Sequence, residues 1–295
     1  MLFAVCHVLR YTPYTHKLKD LIARGRIGDP VSIQHLEPVG YAHQAHSFVR
    51  GNWRNEAEST FMLLAKSCHD LDWLSYVMGQ PIRRVSSFGS LFHFRPENRP
   101  ANAAQRCADC ALAGDCLYSA GKVYSEIFNH DIAPAVLRIV NPDTSEEALR
   151  EALRTGPYGR CVYACDNDVV DHQVVNMEFG NGTSGVFTMT AFTEMHKMRQ
   201  TRIFGTRGQI VGDGESLDVH DFLTDTTERI AGLADSAAWE GHGGADQNMI
   251  DAFVDALESG DQNILLSGPE ETLMTHLAVF AAEQARREKQ VVEID

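Results

Sequence analysis

Gln173-Val-Val-Asn-Met-Glu-Phe-Gly180-Asn181-Gly182-Thr-Ser-Gly185-Val-Phe-Thr-Met-Thr-Ala-Phe192 is the stretch whose reading decides the fold. Its glycines spell G-x-G-x-x-G literally. A dinucleotide fingerprint needs a strand before that pattern and a helix after it, so that the pyrophosphate meets a helix N-terminus. Here a strand does precede, but Val186 to Phe192 continues as a second strand. Asn181-Gly182 between two strands is a hairpin turn, where positive φ suits Asn and Gly. No other glycine cluster qualifies, so the chain carries no recognisable nucleotide site.

Outward from this hairpin, short apolar segments at 162–163, 199–204 and 209–211 read as further strands joined by short turns, a meandering and mainly antiparallel sheet. Upstream, residues 3–9 are apolar enough for a buried strand, stopped at Arg10-Tyr11-Thr12-Pro13. Helical spacing over 15–24 ends at Gly25, and 31–39 alternates as a strand. Residues 41–55 are polar and aromatic without a period, which predicts a loop. A helix over 59–78 ends at Gly79, and 85–94 is a strand. The 145–154 helix opens on a Ser145 cap with Glu146 and Glu147 in its first turn. Helices over 246–257 and 270–289 and a terminal strand at 291–294 complete the chain. The expectation is an α+β fold: an open, mainly antiparallel sheet with helices on one face and no doubly wound nucleotide domain.

Composition narrows the function classes. The 295 residues are 44% apolar and 22% charged, as in a soluble globular protein with a sizeable core. A net charge of −14 argues against nucleic acid, whose phosphates need a Lys/Arg excess, and against an anionic membrane surface. No apolar run approaches the ~20 residues that span a bilayer. The N-terminus lacks the basic region and cleavage site of a secretion signal, which points to the cytoplasm. Without a secretory context, the seven cysteines read as thiols or metal ligands rather than a disulfide framework.

Three groups of residues could carry chemistry. On the 59–78 helix, Lys66, His69, Asp70 and Trp73 share one face, while Leu64, Leu71, Leu74 and Met78 share another. Lys and His three apart meet on a helix surface, which sets a cation beside an imidazole that titrates near neutrality. That pair suits proton transfer; otherwise the face is simply solvated. The 41–55 loop, with His43, His46, Arg50, Trp53 and Arg54, is a plausible substrate wall or an ordinary surface loop. In an insertion-like region over 96–129, Cys107-x2-Cys110-x5-Cys116 gives three thiols, and Cys161 or Cys165 could add a fourth for tetrahedral zinc, or the thiols are unrelated. Asp166-Asn167-Asp168-Val-Val-Asp171-His172 fails as a calcium loop, having neither its glycine nor its closing Glu. These residues enter the sheet and face a cleft. His242, in a glycine stretch, is ambiguous. No G-x-S-x-G elbow supports a serine hydrolase.

The runs HVLRYTPYTHKLKDLIARGRIGDPVSIQ, FVRGNW and LLAKSCHDLDWLSYVMG resemble the Gfo/Idh/MocA oxidoreductases, as do YGRCVYACDNDVVDHQ, EGHGGAD and EETLMTHLAVFAAEQARRE. The resemblance spans nearly the whole chain but only the family's C-terminal half. It implies a fold like the C-terminal domains of dihydrodipicolinate reductase and glucose–fructose oxidoreductase, closing over a sugar or cyclitol and building an oligomer through the open sheet. On this likeness residues 1–10 match the last strand of an N-terminal Rossmann domain, and 11–295 the substrate and oligomerisation domain. The glycine fingerprint and the E-K-P lysine of that Rossmann domain are absent here. The family's D-x-x-x-H motif places its acid/base histidine at His69, with Ala65 where Asp is usual and Lys66 one residue on.

The resemblance implies the catalytic half of an NAD- or NADP-dependent polyol or sugar dehydrogenase. His69 would be the acid/base, and we infer a supporting role for Lys66, holding the alkoxide or lowering the His69 pKa through like-charge repulsion. Arg10, Tyr11, Arg50, Trp53, Asp166, Asn167 and His172 are candidate substrate-wall positions, and Cys107, Cys110, Cys116 and Cys161 the candidate zinc ligands. The alternative is a non-catalytic binding or assembly module stabilised by zinc.

Overall fold

In a computed structural model, residues 2–128, 133–194, 198–233 and 244–294 are described. His242 and most of its glycine stretch lie outside them. Nine strands form one sheet in the order β8-β7-β6-β5-β1-β4-β3-β2-β9. They are β1 (Pro30–Pro38), β2 (Ile82–Ser90), β3 (His172–Phe179), β4 (Ser184–Thr190), β5 (Gln200–Gly205), β6 (Gly208–Gly212), β7 (Leu217–Asp221), β8 (Thr226–Ile230) and β9 (Val292–Glu293). Only β1 and β4 pair in parallel; the other seven pairings are antiparallel. The α+β fold with an open, mainly antiparallel sheet is therefore the one expected. Among the described residues there is no second, doubly wound sheet.

The literal glycine pattern is a hairpin. Gly182 takes φ 82, and Asn181 Oδ1 accepts from the Thr183 amide and hydroxyl, closing the turn between β3 and β4. Alternation then decides which side of each strand is buried. Ile33, His35 and Glu37 of β1 lie on the buried side with Val175, Met177, Phe187, Met189, Ile203 and Ile210 of its neighbours. Against that side pack α1 (Pro13–Ala23), α3 (Met62–Met78) and α8 (Pro269–Glu288), through Leu18, Leu21, Leu71, Leu74, Val77, Val279 and Ala282. The opposite side is left open among the described residues, with Val186 and Phe88 exposed there.

Several expectations of the sequence fail locally. Residues 3–9 form no strand; Val8–Tyr11 is a 3-10 turn, because a strand needs a ladder neighbour and this segment reaches only the Val5 amide to the Ser267 carbonyl. The 41–55 loop is instead largely helical, a short α2 (Tyr41–His43) running into a π-helix over Gln44–Arg50. Its apolar side, Ala42, Ala45, Phe48 and Val49, is buried against neighbouring segments. The strand at 162–163 does not form. The β7–β8 hairpin was not expected, since β8 is mostly exposed and lacks a buried period. The Cys-rich segment holds 3-10 turns, leading to α4 (Ala120–Phe128), α5 (Ala133–Val140) and α6 (Glu146–Thr155). A last helix, α7 (Ala245–Ser259), packs on the Val8–Tyr11 turn.

Leu74 is fully buried between α3 and the sheet side of the core. Leu74→Ala should cost about 2–5 kcal/mol, a lost side chain plus a cavity, read as a lower urea midpoint with unchanged slope.

Candidate functional site

Helix α3 follows an extended Phe61 and stops at Gly79, whose left-handed φ of 63 closes the last turn. It is not one straight helix. Ser67 leaves helical geometry at φ −116, ψ 16, and its hydroxyl points at Met189 Sδ, 3.2 Å away. The kink falls between Lys66 and His69 and breaks the single face that 3.6-residue spacing predicts. Asp70 and Trp73 do not share a solvent face with Lys66; both are buried.

On one side of α3, a chain of charges runs between the helix and the sheet. Lys66 Nζ lies 3.1 Å from Glu37 Oε1, and Arg199 Nε lies 3.0 Å from Glu37 Oε2. Arg199 also pairs with Asp70, whose Oδ1 is 3.1 Å from His35 Nε2. His35 Nδ1 reaches the Thr201 hydroxyl at 2.7 Å, and its ring stacks on Trp73 at 4.7 Å. Burial disfavours charge on Asp70, but the Arg199 guanidinium and the His35 hydrogen bond outweigh it and hold the carboxyl well below the usual range. Lys66 thus stands on a buried carboxylate. Nearby, burial and the Lys66 cation push His43 down to about 3.

On the other side, Asp72 is gripped by both forks of Arg10 at 2.7 and 2.6 Å and by the Thr275 hydroxyl at 3.0 Å. His7 Nδ1 stands 3.6 Å from Asp72 Oδ2. The His7 ring lies 5.7 Å from that of His69 and 5.4 Å from that of His276. Burial pushes His7 down to about 4, against the pull of Asp72.

The other expected site residues divide clearly. Arg10 and Tyr11 are engaged within the fold, although Arg10 also lines a groove with Lys19 and Tyr76. Both are buried, Arg10 on Asp72 and the Leu266 carbonyl, Tyr11 against Ser267 and the Leu266 amide. Arg50 is no wall residue: 1% exposed, it donates to the Arg160 and Tyr118 carbonyls and clamps the Cys-rich segment. Trp53 is exposed at the surface. Asp166 is held by Arg54 and Arg160, Asn167 by the Phe94 carbonyl, and His172 by Asp171.

Cys107, Cys110, Cys116 and Cys161 do line one small cavity of about 40 Å³ with Arg50. All seven cysteines are free. Among the described residues, however, no group of three or more His, Cys, Asp or Glu is arranged to hold a metal. The expected zinc is therefore not supported. Zinc binds thiolates, whereas burial pushes the Cys161 thiol up, and Cys165 to about 11. The Cys107 thiol instead faces Arg50 and the Arg160 carbonyl.

The sequence reading missed His7, His35, Glu37, Asp72, Arg199 and His276. A signal for two of them existed: His35 and Glu37 share the parity of Ile33 on β1, and a charge in the buried phase of a strand needs a partner.

A family model described as an oxidoreductase family, C-terminal alpha/beta domain (GFO_IDH_MocA_C), matches residues 19–294. YteT of Bacillus subtilis, which carries an oxidoreductase name, is 24% identical over 216 residues, 72% of this chain and 47% of its own length. The chain thus spans about half the length of this curated relative. A Klebsiella pneumoniae NAD binding oxidoreductase superimposes with a TM-score of 0.64 at 16% identity, over 99% of this chain and 66% of its own. An Agrobacterium radiobacter oxidoreductase solved with NAD+, L-tartaric acid and magnesium gives 0.62 at 13%, covering 99% and 65%. The super-repressor mutant of Gal80p from Saccharomyces cerevisiae gives 0.63 at 12%, covering 99% and 65%. At these identities the likeness to solved structures is one of fold.

His7 and His46 are both buried with values near 4, below the unfolded 6.5. Below pH 6.5 the unfolded chain binds more protons, so their stability contribution is complete above that pH and is lost as pH falls toward 4. Urea unfolding at pH 5 should give a stability about 2–4 kcal/mol below that at pH 7.

Proposed function

We propose, for a chain that belongs to the Gfo/Idh/MocA oxidoreductase family through its C-terminal α/β domain, that it is the substrate-binding and acid–base half of an NAD(P)-dependent sugar or cyclitol dehydrogenase. The observation that carries this reading is the state of α3. Its only two basic side chains, Lys66 and His69, stay half-buried, while its carboxylates Asp70 and Asp72 are buried and committed to arginines. A proton-handling site needs a base reachable by substrate, beside a cation that favours the developing alkoxide.

The literal G-x-G-x-x-G pattern of Gly180, Gly182 and Gly185 is a hairpin between two strands, not the opening of a helix. What this chain's own residues do is therefore confined to the proton and the alcohol oxygen. His69 takes the proton of a substrate hydroxyl. Lys66, held as a cation against Glu37 at 3.1 Å, donates a hydrogen bond to the oxygen left behind. Glu37 is also tied to Arg199, so the carboxylate that holds Lys66 is itself fixed in place.

The bare side of the sheet supports a second copy of the chain as partner. A shallow groove of about 650 Å³ there is lined by Gln34, Leu36, Val186, Thr188, Arg202 and Asp218, apolar and polar groups mixed as at protein interfaces. Light scattering should report a dimer or larger, and Val186→Glu should shift it toward monomer.

Binding and chemistry are testable apart. Saturation-transfer NMR against a panel of polyols and aldoses should show binding by the folded chain, weakened about tenfold in Lys66→Met by loss of a charged hydrogen bond. Where nicotinamide reduction can be followed, His69→Asn should lower turnover by about 10²–10⁴-fold with little change in binding. A folded chain that binds no polyol, or that binds one regardless of Lys66, favours a non-catalytic module and ends the dehydrogenase reading.

A further inference from the structure

Three imidazoles from three separate parts of the chain meet beside Asp72. His7 comes from the N-terminal segment, His69 from α3 and His276 from α8. His7 sits in the middle, with ring separations of 5.7 Å to His69 and 5.4 Å to His276. Rings at these separations are near enough for a proton to pass between them through one intervening water.

His7 is unusual in its hydrogen bonding. It is 3% exposed, and among the described residues neither Nδ1 nor Nε2 has a hydrogen-bond partner. Buried polar atoms are nearly always paired, and an orphan costs about 1–3 kcal/mol, so two on one ring call for a reason. A histidine that merely orients a neighbour has one nitrogen tied and one working. A histidine that passes a proton needs both nitrogens available, one to accept and the other to release. Asp72 does not supply the missing bond: its oxygens go to Arg10 and Thr275, and His7 Nδ1 remains 3.6 Å away. The charged and titratable groups facing His7 are Asp72, His69, Arg10 and His276, and burial dominates them, leaving the ring neutral near pH 7.

His276 is arranged as the outlet. Its Nδ1 lies 2.9 Å from the Thr272 carbonyl, which can only accept, so Nδ1 carries the hydrogen and Nε2 is the acceptor. The ring is half-buried rather than enclosed. The geometry points to His7 as a proton relay: the proton that His69 takes from a substrate hydroxyl moves to one nitrogen of His7 while the other nitrogen gives its own to His276 Nε2, and thence to solvent. Each transfer forms one N–H bond as it breaks another, and no electrons change hands. His7 starts and ends neutral with its tautomer reversed, and rotation or the return of a water proton resets it. The route rests on His69 being the acid/base of the proposed site. His7 and His276 are positioning residues within it, since neither has to touch the substrate.

The relay makes a claim about the imidazoles that needs no turnover. In the chain labelled with ¹⁵N-histidine, the two ring nitrogens of His7 should show averaged shifts near pH 7, the mark of interconverting tautomers. Removing the outlet in His276→Phe should collapse His7 to one fixed tautomer, with the fold checked by the backbone amide spectrum. His276→Gln replaces it should the Phe variant not fold, with the same expectation. A single fixed His7 tautomer in the wild type, or averaging indifferent to both His276 variants, overturns the relay. Loss of the dehydrogenase reading would appear in the polyol titration of the preceding subsection instead. Averaged His7 tautomers together with no polyol binding would leave the relay standing without a substrate.

Discussion

The Glu37–Arg199–Asp70 ion cluster, set between the sheet and α3, is the interaction on which the site depends. Arg199 bridges two buried carboxylates from different elements, and Lys66 and His35 complete the balance. Removing one member of such a group leaves an unpaired buried charge, a cost of about 3–5 kcal/mol. A hydrophobic substitute would give equal or better stability, but it would not hold Lys66 against the sheet. The cluster is therefore best understood as a device for orientation. It also explains why α3 can kink at Ser67 without losing its place, because Asp70 is fixed from below.

A second anchor holds the helix at Asp72, two residues on from Asp70. Arg10 grips Asp72, Thr275 of α8 adds a hydrogen bond, and Tyr11 reaches Ser267 and Leu266. The N-terminal segment, α3 and the approach to α8 are thereby tied at one point, and His7, His69 and His276 are brought together there. Basic residues that looked suited to hold a ligand are the rivets of this junction. The same holds for Arg50, which ties the helical 41–50 segment to the Cys-rich turns through carbonyls of Arg160 and Tyr118. Buried guanidinium groups bind backbone oxygens well because their five donors satisfy several acceptors at once.

Family membership and the arrangement on α3 support an oxidoreductase reading that remains distinct from an account of a whole enzyme. The chain covers about two-thirds of the length of its structural neighbours. The four cysteines illustrate the gap between nearness and function. They share a cavity, as their spacing suggested, yet burial favours the neutral thiol at Cys161 and Cys165 and no metal-holding group is formed among the described residues.

Strand periodicity at β1, β3 and β4, the hairpin at Asn181-Gly182 and the helical stripes of α1, α3 and α8 were determined by the sequence alone, because each is a local pattern of apolar spacing and turn chemistry. So was the rejection of a nucleotide site at 180–185, where the glycines turn a hairpin. Tertiary structure alone decided the rest. Residues 3–9 had apolar content but no ladder to join, and 41–50 had no period visible in sequence because a π-helix turns at a different pitch. The partners of Lys66 and His69, Glu37 and His7, lie 29 and 62 residues away on other segments (66 − 37 and 69 − 7), through contacts that no local spacing encodes. A charged side chain in sequence announces only that it needs a partner or water. Which of the two it receives, and hence whether it binds ligand or holds the fold, is settled by what packs against it.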